Sequence, residues 1–97
     1  METYESLIIT GKDIEPIPPI DNVVVDLKVN IQQNKSNVYD VTLYNIADKI
    51  RDLVINKSVT ATLYFSKERQ LEIPDIKFEY NNNNVKFITD KITYKTK

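Results

Sequence analysis

Cysteine and histidine are both missing from the 97-residue chain, and glycine occurs once. Without thiols there is no disulfide staple. Without thiolate or imidazole the usual zinc ligands are gone too, leaving only oxygen-donor sites of the calcium or magnesium type. Nucleophilic catalysis would fall to a serine or threonine activated by lysine or a carboxylate, and no glycine-rich elbow or phosphate loop frames any of them. The chain therefore reads as a non-enzyme that needs no cofactor and no metal. Two carboxylate pairs, Glu68 with Glu72 and Asp48 with Asp52, read as solvated charges, the first on a turn and the second on the wet side of a helix.

An excess of one charge is also lacking. Thirteen basic and fourteen acidic residues leave a formal charge of −1, so no phosphate-binding field builds up and nucleic acid is not the expected partner. Long apolar runs are absent as well. Leu7-Ile8-Ile9, behind the acidic start Met1-Glu2-Thr3-Tyr4-Glu5, is too short for a signal core or a membrane span. The expectation is a cytosolic product with no membrane partner.

What is present is a β pattern. The 41% hydrophobic content is enough for one core in a chain of single-domain length. Tyr4 to Thr10 is β-prone and ends at Gly11-Lys12-Asp13. From Val23 to Gln32, the residues Val23, Val25, Leu27, Val29 and Ile31 share one face, opposite Val24, Asp26, Lys28, Asn30 and Gln32. After the polar turn Gln33 to Asn37, Tyr39, Val41 and Leu43 continue the alternation, which predicts a hairpin. Val59, Ala61, Leu63 and Phe65 form another period-two run. Leu71, Ile73, Ile76, Phe78 and Tyr80 form a fourth, interrupted at Pro74, which marks a bend or an edge. Val85 to Tyr94 reads as a last strand whose apolar phase slips between Phe87 and Ile88, as a bulge would produce, with Thr93 to Lys97 as a frayed end.

One segment has helical spacing. Ile46, Ile50, Leu53 and Val54 recur at i, i+4, i+7 and i+8, Asn45 stands where an N-cap would, Asp48 suits the first turn, and Asn56 is tolerant of the left-handed geometry that closes a helix. The sequence thus predicts a mainly β protein, an antiparallel sandwich or small barrel of six to seven strands with one short α-helix at 46–55. Residues 1–22 form an N-terminal strand and proline arm and 23–97 the β-rich core, in one domain overall.

Two features bear on binding. Pro16-Ile17-Pro18-Pro19 favours extended polyproline geometry and reads as a connector or arm along a sheet edge, with Pro16, Ile17, Pro18 and Pro19 as a possible protein interface. The six tyrosines, Tyr4, Tyr39, Tyr44, Tyr64, Tyr80 and Tyr94, suit half-buried strands and interface rims; a stacking platform for single-stranded nucleic acid is the sharper alternative.

From Val25 to Phe65 the order is strand, Asn-containing turn, a strand ending Val41-Thr42-Leu43-Tyr44-Asn45-Ile46, a short helix, the turn Asn56-Lys57-Ser58, and another strand. This resembles the first β-domain of bacteriophage tail-hub and baseplate proteins, where a strand runs through a Tyr-Asn-Leu corner into a short helix and a basic turn. Asn56-Lys57-Ser58 stands where that family carries Lys-Gly, and Tyr64-Phe65-Ser66 where it carries Gly-Tyr. The resemblance implies a non-enzymatic virion component in tail, baseplate or capsid, partnered by other virion proteins and by copies of itself, with no catalytic residue to carry over. The alternative class is a small inhibitor or adaptor that binds one host protein.

Overall fold

The computed structural model describes residues 1–96. Eight strands and one helix follow in the order β1 (Glu2–Thr10), β2 (Ile20–Asn30), β3 (Val38–Leu43), α1 (Ala47–Val54), β4 (Val59–Tyr64), β5 (Arg69–Ile76), β6 (Glu79–Asn81), β7 (Asn84–Thr89) and β8 (Thr93–Thr96). All strand pairs are antiparallel, in one sheet ordered β6-β7-β3-β2-β1-β4-β5-β8. There are eight strands rather than six to seven because two of the period-two runs each divide. The run from Leu71 to Tyr80 becomes β5 and β6, and that from Val85 to Tyr94 becomes β7 and β8.

The connection from β7 to β8 dictates the shape. Six strand spacings separate them in the sheet order, about 29 Å if the sheet were flat. Asp90, Lys91 and Ile92 alone join them, and three linking residues reach about 14 Å at most. The sheet must curl, and it does so far enough that β5 and β7 touch, giving a barrel-like sheet that is not closed.

Inside the curl lie Tyr4, Leu7, Ile9, Val23, Val25, Val41, Leu43, Val59, Ala61, Leu63, Ile73, Ile76, Phe78, Val85 and Phe87, all buried. The expected hairpin of β2 and β3 is present, with Val25 opposite Leu43 and Leu27 opposite Val41. Its inward row reaches past the core, however. Leu27 is half-buried, Val29 is 46% exposed and Ile31 82% exposed, because β1 pairs with β2 only as far as Val25 and leaves the distal half of the hairpin without a neighbour on that side.

The helix plugs one end of the barrel. Ala47, Ile50 and Val54 are buried with Ile46 just before them, while Leu53 is half-buried rather than fully inside. Asn45 is not the N-cap. Ile46 occupies that position with no side-chain cap bond, and Asn45 turns the corner at φ 60°. Capping comes from a distant segment, the β6–β7 turn. The amide of Asp48 donates to the Asn83 side-chain carbonyl at 2.7 Å, that of Ala47 to the Asn83 backbone carbonyl at 3.0 Å, and that of Asn45 to the Asn84 side chain at 3.1 Å. Free amides of the first helical turn need such partners. Replacing Asn83 with Ala should therefore cost about 0.5–2 kcal/mol, the range for losing a cap, in urea unfolding, although residue 83 lies outside the helix.

Asparagine does the work that glycine does elsewhere. Asn22, Asn34, Asn45, Asn56, Asp75 and Asn82 have φ between 54° and 60°. Asn and Asp tolerate the left-handed region because their short polar side chains bond locally. Gly11, the single glycine, serves close approach instead: a Cβ there would meet the Ser58 carbonyl oxygen at 3.3 Å.

Two strand irregularities follow. Asn22 lies opposite Glu5 where burial in β1 skips from Tyr4 to Leu7 and in β2 from Val23 to Ile20, so both strands slip phase together. Pro74 and Asp75 oppose Thr60 alone, a bulge at the place where the proline interrupts the pattern, beyond the reach of β8, which ends its pairing at Glu72. No bulge occurs at Phe87. Val85 and Phe87 point in, Lys86 and Ile88 point out, Ile88 is 70% exposed, and the apparent slip is the chain leaving for the other edge of the sheet. Thr93–Thr96 is an ordered edge strand on β5 rather than a frayed end, while Lys97 lies outside the described residues.

Candidate functional site

The helix joins the end of β3 to the start of β4, so the opposite ends of these strands form the unplugged end of the barrel. Three aromatic rings step outward there. Tyr4 is buried in β1, and its ring centroid lies 4.3 Å from that of Phe65, just after β4; Phe65 lies 6.4 Å from Tyr94 on β8, which is 53% exposed. Such tilted pairs add to the burial of the rings themselves. Met1, Leu27 and Leu71 line the same shallow recess as Tyr4 and Phe65. The result is a line of aromatic rings from core to solvent beside a recess that Glu2 and Asp26 also border.

Tyr4 is held protonated. Burial first, then the negative charge of Glu2, push the phenol up from 10.0 to about 12. Because the folded value lies above the unfolded one, the contribution is fully present below pH 10 and is lost as the pH rises through about 12. The gap corresponds to about 2–3 kcal/mol at most. Urea stability should fall between these pH values, and Tyr4→Phe should flatten that slope.

Beside the aromatic steps runs the open edge of the sheet. All four residues of β8 are exposed, and β8 bonds to β5 on one side only, with Leu71 opposite Tyr94 and Glu72 opposite Thr93. Leu71 and Tyr94 sit on the inward row. Lys95 is on the outward row and bridges to Glu72 at 2.8 Å, a pair exposed enough to contribute little stability. The other edge strand, β6, is only three residues long, and Tyr80 within it is half-buried under the Arg51 guanidinium, 5.7 Å from the ring centroid. That edge is engaged with the helix.

The proline segment lies elsewhere. Residues 11–19 connect β1 to β2 at the helix-plugged end, so the chain there links two inner strands, and residue 22 falls within β2. Pro16, Pro18 and Pro19 are exposed and Ile17 packs partly against the core. Ile17, Pro18 and Pro19 border Lys49 of the helix. The structure thus separates Pro16-Ile17-Pro18-Pro19 from the aromatic end.

The tyrosines do not share one row. Tyr4 and Tyr94 belong to the aromatic steps, Tyr80 lies under the helix, and Tyr44 and Tyr64 alternate away from the buried residues of β3 and β4. Of the carboxylates, Glu72 is engaged with Lys95, and Asp48 sits in the helix's first turn. An open groove bordered by β3, β5, β6 and β7 mixes Asp40, Asp75 and Glu79 with Lys77 and Lys86. Among the described residues no cluster of acidic side chains is arranged to hold a metal ion, and no helix is long and apolar enough to cross a membrane.

Sequence reasoning missed β8 as an edge. Thr93 to Thr96 carries no apolar alternation beyond Tyr94, so the signal was confined to the β-prone residues Thr93, Tyr94 and Thr96. Compared with known proteins, the chain matches no family model, no curated protein and no solved structure.

Proposed function

We propose that the protein is a non-enzymatic assembly module, a bacteriophage virion component of the tail, baseplate or capsid that works through protein–protein contacts. The observation that carries this reading is the open β8 edge beside the aromatic steps, which reach solvent at Tyr94. An unpaired row of backbone donors and acceptors adds a strand from another chain, and the neighbouring apolar surface supplies the burial that makes the addition stick. The resemblance of Val25 to Phe65 to tail-hub β-domains, with its strand, corner, short helix and basic turn, gives the class of assembly.

Edge blocking tests it. Tyr94→Lys places a charge on the inward row of the edge, a device that opposes strand addition. Because Tyr94 is half in solvent, the thermal midpoint should change little, whereas incorporation into particles, read by co-purification with virion proteins, should be lost. Unimpaired incorporation of a well-folded Tyr94→Lys protein would count against the reading.

A further inference from the structure

We infer that the partner at the β8 edge is a second copy of this chain, paired antiparallel across a two-fold axis that passes through Tyr94. The inference rests on the assembly reading above and names its partner. Register carries it. In β8, Tyr94 shares the inward row with Leu71, and Thr93 and Lys95 share the outward row. Side chains directly opposite in an antiparallel pair lie on the same face, so a two-fold must centre on a residue, and in the four-residue β8 the two central ones, Tyr94 and Lys95, retain the most cross-strand pairs and differ in charge.

Centred on Lys95, the pairing sets two lysines directly opposite each other, which is unfavourable. Centred on Tyr94, it sets tyrosine against tyrosine and Thr93 against Lys95 of the second copy. The inward row then runs Leu71, Tyr94, Tyr94 of the second copy, Leu71 of the second copy, uninterrupted by charge. On the outward row Glu72 lies two strand spacings from Lys95 of the second copy, about 10 Å between backbones, which the two side chains together span. By symmetry Lys95 faces Glu72 of the second copy. This register thus sets no like charges of Thr93–Thr96 opposite each other, and the exposed ring of Tyr94 becomes covered.

Such a four-residue edge falls at the small end of interfaces, so the association is weak and is read by sedimentation velocity from about 10 µM to about 1 mM. The native chain should shift toward a dimer over this range, and Tyr94→Lys should remain monomeric. Because the chain has no cysteine, single cysteines report the register without background. Tyr94→Cys should form a disulfide dimer at least about tenfold faster than Thr93→Cys or Lys95→Cys alone, since only residue 94 faces itself. A mixture of Thr93→Cys and Lys95→Cys, which keeps Tyr94 in place, should crosslink as a heterodimer. A native chain that stays monomeric to 1 mM, or Tyr94→Cys crosslinking no faster than Thr93→Cys, overturns the two-fold pairing. Should that monomer still capture a different virion protein through β8, the pairing is overturned while the assembly reading stands.

Discussion

Removing Met1–Ile20 should abolish folding. In space β1 is an inner strand bonded to both β2 and β4. Its loss exposes two strand edges in the middle of the sheet and removes Tyr4, Leu7, Ile9 and Ile20 from the core. At about 1.5–3 kcal/mol for each fully buried large side chain, these four contribute about 6–12 kcal/mol, comparable to the whole stability of about 5–15 kcal/mol expected for a small domain. Urea titration of residues 21–97 should show no cooperative transition. A sigmoidal transition with most of the native slope would mean that the remaining strands hold a core without β1.

The second large effect is expected at Ile50. Its side chain is fully buried where the helix plugs the barrel, and Ile50→Ala should cost about 2–5 kcal/mol in urea unfolding. Leu53→Ala should cost distinctly less, since Leu53 only rests against the core from a half-buried position. A loss below about 0.5 kcal/mol at Ile50 would mean that the helix does not seal the barrel, because truncating a buried isoleucine leaves a cavity that the surroundings refill only partly.

Much of this fold was legible in the residues because two physical periods dominate it. Val23 and Val25, Val41 and Leu43, and Val59, Ala61 and Leu63 alternate strictly and lie inside, and the helical spacing of Ile46, Ile50 and Val54 put one short helix in its place. The left-handed Asn56 that ends the helix was legible for the same local reason. What escaped was set by partners far along the chain. Asn45 has the right chemistry for a cap, but Asn83, reached only through the β6–β7 hairpin, accepts the free amides of the first turn instead. Ile88 mimics a phase slip because an exposed isoleucine looks buried to a pattern that sees only hydrophobicity. Val29 and Ile31 keep the inward phase but outrun the strand that would have covered them.

The candidate site divides the same way. Pro16-Ile17-Pro18-Pro19 was conspicuous in sequence, and it links inner strands at the helix end. Thr93 to Thr96 was inconspicuous, and it forms the open edge. Edge position is a property of sheet order, which depends on a crossover of three residues from β7 and leaves no mark in the composition of β8 itself.

Hydrogen exchange of the β8 amides, followed residue by residue in dilute protein and in the assembled state, tests most directly whether this edge is where the molecule works. Outward-facing amides of Thr93–Thr96 should exchange fast when dilute and become protected on assembly, while those of β1 stay slow in both. Protection that arises instead on the proline connection or the groove beside Lys77, with β8 still exchanging fast in the assembly, would contradict it.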